Sequence, residues 1–213
     1  RNLCVVMPSG DNKFYCDSAL SGDKYGSFIA KDLVEFIQDT FPVSKAREDT
    51  IIGGLSMGGF GSIVNALRNP DTFGYVCALS SALIKEGILH SVNEPGRDFF
   101  TRRQYETLFG VEKVEDYAGS ENDYEALADG LKDAPNKPKI YMACGTEDGL
   151  FPANVAFRDK LIADGFDVTW EEGPGAHNWA FWDAYIEKAL NWLPLSDAVK
   201  GVSSENVGVT DKK

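Results

Sequence analysis

The stretch Thr50-Ile51-Ile52-Gly53-Gly54-Leu55-Ser56-Met57-Gly58-Gly59-Phe60 decides how this chain is read. Its first half is an apolar run with β-branched residues, as a buried strand requires. Its second half opens a helical pattern through Ile63, Val64 and Leu67, which Pro70 ends because proline cannot continue the helical hydrogen bonding. Between the two, Gly54-Leu55-Ser56-Met57-Gly58 fits G-x-S-x-G, and this motif at a strand-to-helix junction places its serine on a sharp, strained turn. Gly54, Gly58 and Gly59 are then expected to be the residues that let strand and helix pack closely around the turn.

The alternation of strand and helix extends outward in both directions. Upstream, Phe28, Ile29, Leu33, Phe36 and Ile37 recur at helical spacing until Phe41-Pro42, and Leu3 to Met7, closed by Pro8-Ser9-Gly10, reads as a fully buried strand. Downstream, Phe73 to Leu79, Lys139 to Ala143 and Phe166 to Trp170 read as strands, and Asn154 to Ala163 and Trp179 to Leu193 as helices. A long irregular region from Ser80 to Lys137, with helical pieces near Arg102 and Tyr124, predicts a cap-like insertion over about residues 82–136. The pattern predicts one α/β domain over residues 1–195, a mainly parallel sheet with helices on both faces, followed by a polar tail over 196–213.

Composition narrows the partners. The 33 acidic and 21 basic side chains give a formal charge of -12, which repels phosphate backbones and anionic lipid surfaces, so no nucleic acid and no membrane is expected. No apolar run approaches the roughly 18 residues of a membrane span, and the chain reads as soluble. Cys4, Cys16, Cys77 and Cys144 lack CxxC spacing, and three of them sit in apolar runs, so they are expected to be buried free thiols rather than zinc ligands or disulfides. That usage leans toward a reducing, cytoplasmic compartment and leaves secretion open. Homo-oligomerisation is also left open.

A serine on such a turn projects above the carboxyl edge of the sheet, and the Met57 amide at the start of the next helix is the natural first donor to a developing oxyanion. The serine needs a base, and the chain holds two histidines, His90 and His177. His177 ends the loop Gly173-Pro174-Gly175-Ala176-His177 beyond the final predicted strand, where the chain order Ser, Asp or Glu, His of α/β-hydrolases puts the base. His90 precedes the candidate acids and is expected to be exposed or to line a pocket. The acid that orients the base should follow the Lys139 to Ala143 strand, in Cys144-Gly145-Thr146-Glu147-Asp148-Gly149. Asp148 is preferred to Glu147 because its shorter side chain is better ordered beside a glycine, and neighbours on an extended loop point apart.

Gly54-Leu55-Ser56-Met57-Gly58-Gly59, Gly145-Thr146-Glu147-Asp148 and Gly175-Ala176-His177-Asn178-Trp179 together resemble the esterase D-like family of α/β-hydrolases, in particular its small bacterial tributyrin, acetyl and cinnamoyl esterases. Val5-Val6-Met7-Pro8-Ser9 with Phe14-Tyr15 and Trp179-Ala180-Phe181-Trp182 extend the resemblance over nearly the whole chain. It implies an α/β-hydrolase fold and puts the family's triad on Ser56, Asp148 and His177. Members of that family begin with further strands and a His-Gly loop that supplies a second oxyanion amide. No His-Gly pair occurs here, so the chain is expected to lack roughly the first third of the fold, with a separate fragment or further segment completing the sheet.

The expected activity is hydrolysis of short-chain, acetyl-type esters, some of them carbohydrate-linked, through an acyl-enzyme, with no cofactor and no metal. Tyr15, Leu55, the region around Ile84 to Phe109, and Trp182 are candidates for the substrate pocket, although large rings at such spacings often simply make core. Three alternatives stand beside this reading: a feruloyl or cinnamoyl esterase acting on plant-wall esters, an acyltransferase, and a non-catalytic binding module.

Overall fold

The structure is a computed structural model and describes residues 2–90 and 100–196. Four strands, β1 (Ile51–Leu55), β2 (Tyr75–Leu79), β3 (Lys139–Gly145) and β4 (Val168–Gly173), pair in parallel in the order β1-β2-β3-β4. A short turn α1 (Tyr25–Ser27) runs through a π-helical stretch (Phe28–Asp32) into α2 (Leu33–Thr40), and α3 (Met57–Arg68) connects β1 to β2. Between β2 and β3 lie α4 (Lys85–His90), α5 (Arg102–Phe109), a 3-10 turn (Val114–Tyr117) and α6 (Tyr124–Leu131). Helix α7 (Phe151–Ala163) joins β3 to β4, and α8 (Trp179–Trp192) follows β4.

Parallel strands laid down side by side in sequence order, each joined to the next by a crossover of the same hand, put their connecting helices on one face of the sheet. Alternation along the strands shows this division. Val76, Ala78, Ile140 and Met142 point into the larger core with Phe60, Ile63 and Val64 of α3 and Phe157 and Leu161 of α7. Cys77, Leu79, Tyr141 and Ala143 point the other way, onto Phe181, Trp182, Tyr185 and Ala189 of α8. Helices thus cover both faces, as the sequence predicts, and the central strands are buried and apolar from Val76 in β2 and from Ile140 in β3 because neither face meets water there. β1 lies at the edge of the sheet and is only half-buried.

Three strand expectations need correction. Leu3 to Met7 is not a strand: its side chains are exposed, Met7 at 88%, and its nearest backbone tie is from the Asn2 N–H to the Ser196 carbonyl. An apolar run pairs only where a neighbouring strand offers donors and acceptors, and none lies beside it among the described residues. The last strand starts at Val168 rather than Phe166, because Gly165 in a left-handed conformation (φ 74°) turns the chain out of α7 and leaves Phe166 plugging the core below the sheet. β2 begins at Tyr75 rather than Phe73, in register with Ile51 of β1. Cys4 is also exposed, whereas Cys16, Cys77 and Cys144 are buried, and all four are free thiols.

The described part of the 82–136 insertion is folded into the main core. Phe14 and Phe60 meet edge-on with 5.6 Å between ring centroids, Phe60 and Phe109 at 5.7 Å, and Phe109 and Tyr117 at 5.0 Å, so insertion, N-terminal loop and α3 share one aromatic cluster. Such edge-to-face contacts contribute about 0.5–1.5 kcal/mol each beyond burial. The polar tail expected from residue 196 lies, from residue 197 on, outside the described residues.

Candidate active site

All four strands run in one direction, so the turns that follow β1, β3 and β4 emerge at one edge of the sheet. Ser56 is the residue between β1 and α3, with φ 55° and ψ −117°, a conformation an L-residue adopts only when its surroundings force it. Those surroundings are visible. The Ser56 N–H donates to the Leu79 carbonyl at 2.9 Å, and its own carbonyl accepts from the Ala82 N–H at 2.9 Å and the Phe60 N–H at 3.1 Å. A methyl group on Gly54 would lie 2.5 Å from the carbonyl carbon of Gly58, and one on Gly59 would lie 2.6 Å from the Ser81 hydroxyl, so neither position admits a side chain. Gly58 departs from the expectation made for all three glycines: a methyl group there would meet open space, because it is Gly58's own backbone that the turn brings close to Gly54.

His177 lies at the end of the loop after β4 and Asp148 in the loop after β3. The two loops are clipped together: the Thr146 N–H donates to the Gly173 carbonyl at 2.9 Å and the Glu147 N–H to the Gly175 carbonyl at 3.0 Å. The His177 side chain, 36% exposed, makes a 2.8 Å contact from Nε2 to the Ser56 Oγ and another of 2.8 Å from Nδ1 to the Asp148 Oδ2. A carboxylate can only accept, so Nδ1 carries the proton that it donates to Asp148, and Nε2 accepts from the serine hydroxyl. Asp148 is buried; its second oxygen accepts from the Leu150 N–H at 2.9 Å. Glu147 is exposed.

The remaining sequence candidates fall at different distances from the three. Trp182 in the first turn of α8 presents its edge to the His177 ring at 4.8 Å and 90°, and Trp179 lies edge-on to Trp182 at 5.4 Å. Asn178 caps α8 by accepting from the Phe181 N–H, which fixes where the helix starts relative to His177. Leu55, the last residue of β1, packs with the smaller core beneath α8. Tyr15 places its ring against Gly10 and against Gly61 in the second turn of α3, and its carbonyl accepts from the Asn65 side chain at 3.0 Å. His90 ends α4 on the surface, its ring bonded to the Glu86 carbonyl at 2.8 Å, in keeping with an exposed position. Met57 begins α3, where a helix's first N–H groups have no carbonyl of a preceding turn to meet.

The sequence reading overlooked Asn154, fully buried on α7, which bonds to the backbone of Ser81 beside the serine turn. The apolar pattern starts this helix at Asn154, where an asparagine is an ordinary first residue, so no local signal marks it; the helix begins at Phe151 and places Asn154 inside it.

A serine, an imidazole and a carboxylate joined in this order above the carboxyl edge of a parallel sheet invite comparison with known proteins. The family model described as "Putative esterase" matches residues 2–193. The chain belongs to this esterase family. The esterase is 38% identical over 193 residues to an acetyl esterase of Caldicellulosiruptor saccharolyticus, covering 90% of this chain and 72% of that protein. Among solved structures, it is similar to the substrate-bound fluorophosphonate-binding serine hydrolase F of Staphylococcus aureus, with a TM-score of 0.73 and 30% identity over 88% of this chain and 69% of the other. It is also similar to an S-formylglutathione hydrolase of the same organism, with a TM-score of 0.67 and 28% identity over 85% of this chain and 68% of the other. The esterase is therefore a serine ester hydrolase with the α/β-hydrolase fold. Among its described residues no helix is long and apolar enough to cross a membrane.

Proposed function

We propose that this esterase hydrolyses short-chain, acetyl-type carboxylic esters, with Ser56 as nucleophile, His177 as general base and acid, and Asp148 as the group that orients His177. The observation that carries the reading is the unbroken line Ser56 Oγ, His177 Nε2, His177 Nδ1, Asp148 Oδ2, with 2.8 Å at both junctions. The similarity to an acetyl esterase supports the acyl preference.

In this mechanism the Ser56 oxygen attacks the ester carbonyl while His177 Nε2 takes the hydroxyl proton. The buried Asp148 carboxylate stabilises the imidazolium that forms and stays ionised. The Met57 amide, at the positive end of α3, donates to the oxyanion, an interaction that acts on the transition state more than on the substrate. His177 then returns the proton to the leaving alcohol, and a water activated by the same imidazole releases the acid from Ser56. No cofactor enters these steps. Trp182, packed perpendicular to the His177 ring, supports the imidazole in the orientation that meets Ser56.

The test is a Ser56→Ala variant assayed with p-nitrophenyl acetate, together with labelling by a fluorophosphonate probe. Turnover should fall by at least about 10⁴-fold, as removal of such a nucleophile does elsewhere, and labelling should vanish. Undiminished turnover would sink the assignment. A wild-type rate with methyl ferulate above that with short acyl esters would overturn the acyl preference.

A further inference from the structure

The Ser56 turn and the Asp148 loop are made by segments far apart in the sequence, and one buried side chain ties them together. Asn154 is fully buried at the end of the first turn of α7. Its Oδ1 accepts from the Ser81 N–H at 3.1 Å, and its Nδ2 donates both to the Ser81 carbonyl at 2.9 Å and to the Leu150 carbonyl at 2.9 Å. On one side, Ser81 is wedged against Gly59, and its neighbour Ala82 donates to the Ser56 carbonyl. On the other side, the Leu150 N–H donates to the free oxygen of Asp148, and the Phe151 N–H donates to the Asp148 carbonyl at 3.0 Å. The amide thus closes a path Ser56, Ala82, Ser81, Asn154, Leu150, Asp148 made wholly of hydrogen bonds and single peptide steps.

We propose that Asn154 is a positioning residue for the reaction: it sets how far the Asp148 loop stands from the Ser56 turn, and hence whether His177 can reach both at once. Three features favour this over a purely structural role. The side chain uses both ends of its amide on the two opposed backbone groups of one residue, which fixes orientation as well as distance. The residue it holds abuts Ser80, itself forced to φ 43°, so this segment has been bent to a particular path beside the nucleophile turn. Its third bond goes to Leu150, the residue whose N–H holds Asp148. A displacement of about 1 Å between reacting groups costs on the order of 10²-fold in rate, so a part that fixes this spacing acts on kcat without touching substrate.

The inference rests on the assignment of Ser56, His177 and Asp148, and the experiment separates the two. Asn154→Asp keeps the shape but replaces the two donated bonds by repulsion between oxygens, and Asn154→Ala removes all three. Both are compared with Asn122→Ala, which removes an equally buried asparagine whose side chain bonds the Phe109 carbonyl in the insertion. Wild-type protein that is neither labelled by the fluorophosphonate nor active would refute the underlying assignment. With that assignment intact, the proposal expects both Asn154 variants to fold with native circular dichroism and to lose about 10- to 100-fold in kcat with KM changed less than about two-fold. The downfield proton resonance of His177 Nδ1–H should broaden or move in these variants and stay in place in Asn122→Ala. Native kcat in folded Asn154 variants, an equal kcat loss in Asn122→Ala, or failure of both Asn154 variants to fold would each overturn it.

Discussion

Gly145, the last residue of β3, and Gly175, in the loop before His177, approach so closely that a methyl group on Gly145 would lie 2.1 Å from the Gly175 carbonyl oxygen. That contact stacks the acid loop on the histidine loop and lets the Glu147 N–H reach the same carbonyl. Gly145→Ala must therefore push the two loops apart. The expected result is a kcat lowered by about 10²-fold, with a stability loss of about 1–3 kcal/mol from overpacking, read by ester hydrolysis and thermal melting. Wild-type turnover in this variant would mean that the loops tolerate separation.

Asp148→Asn retains the volume of the buried side chain and an oxygen for the Leu150 N–H, but its amide can donate toward His177 and so favours the wrong tautomer. In other serine hydrolases of this kind the corresponding exchange costs about 10⁴-fold in kcat. A loss of about 10³- to 10⁴-fold is expected, with little change in melting temperature. A loss under ten-fold would argue that another group orients the imidazole.

The glycines of the turn should separate cleanly in a stability scan. Gly54→Ala collides with the Gly58 backbone, which cannot move without dismantling the junction, and should cost 3 kcal/mol or more, at or above the upper end of the about 1–3 kcal/mol typical of overpacking. Gly58→Ala meets open space in the first turn of α3 and should leave stability unchanged or raise it by up to about 1 kcal/mol, because alanine loses less backbone entropy in a helix. Equal melting temperatures for the two would contradict the geometry.

Thiol chemistry should follow burial. Desolvation pushes Cys77 and Cys144 from an ordinary value of 9.0 up to about 12, and Cys16 higher still. Cys4, exposed, should react with an aromatic disulfide reagent at once, and the other three only after unfolding. The sign for stability follows from the same shifts. Above pH 9 the unfolded chain releases thiol protons that the folded chain retains, so stability is intact below pH 9 and falls progressively toward pH 12. Denaturant melts of Cys77→Ala and Cys144→Ala over pH 8–11 should show a shallower decline than wild type; an identical decline would assign the pH effect to other groups.

Much of this molecule is legible in local pattern. The strand–turn–helix around Ser56 and the strand before Asp148 are written in runs of fewer than twenty residues, where burial periodicity, glycine and proline act on neighbours in the chain. The presence of only two histidines narrowed the base to His90 or His177 without any coordinates. What local pattern could not supply was pairing. Leu3 to Met7 has the composition of a buried strand yet lies exposed, since composition states a preference for burial and not the presence of a partner. Side-chain length is all that separates Asp148 from Glu147 in the sequence; the fold adds that Asp148 is buried against His177 while Glu147 is exposed, which favours Asp148 for the proposed role.

The sequence by itself determined the strands and helices from Ile51 onward to within a few residues, their order, and the residue types able to do acyl chemistry, because each follows from interactions between residues a few positions apart. Tertiary structure alone decided the distances: that His177 meets Ser56 from 121 residues away, that Gly145 receives Gly175, and that Asn154 grips Ser81 across 73 residues. Such contacts arise only when a parallel sheet brings the ends of separate strands to one edge, and chemistry at that edge depends on fractions of an ångström that no local pattern encodes.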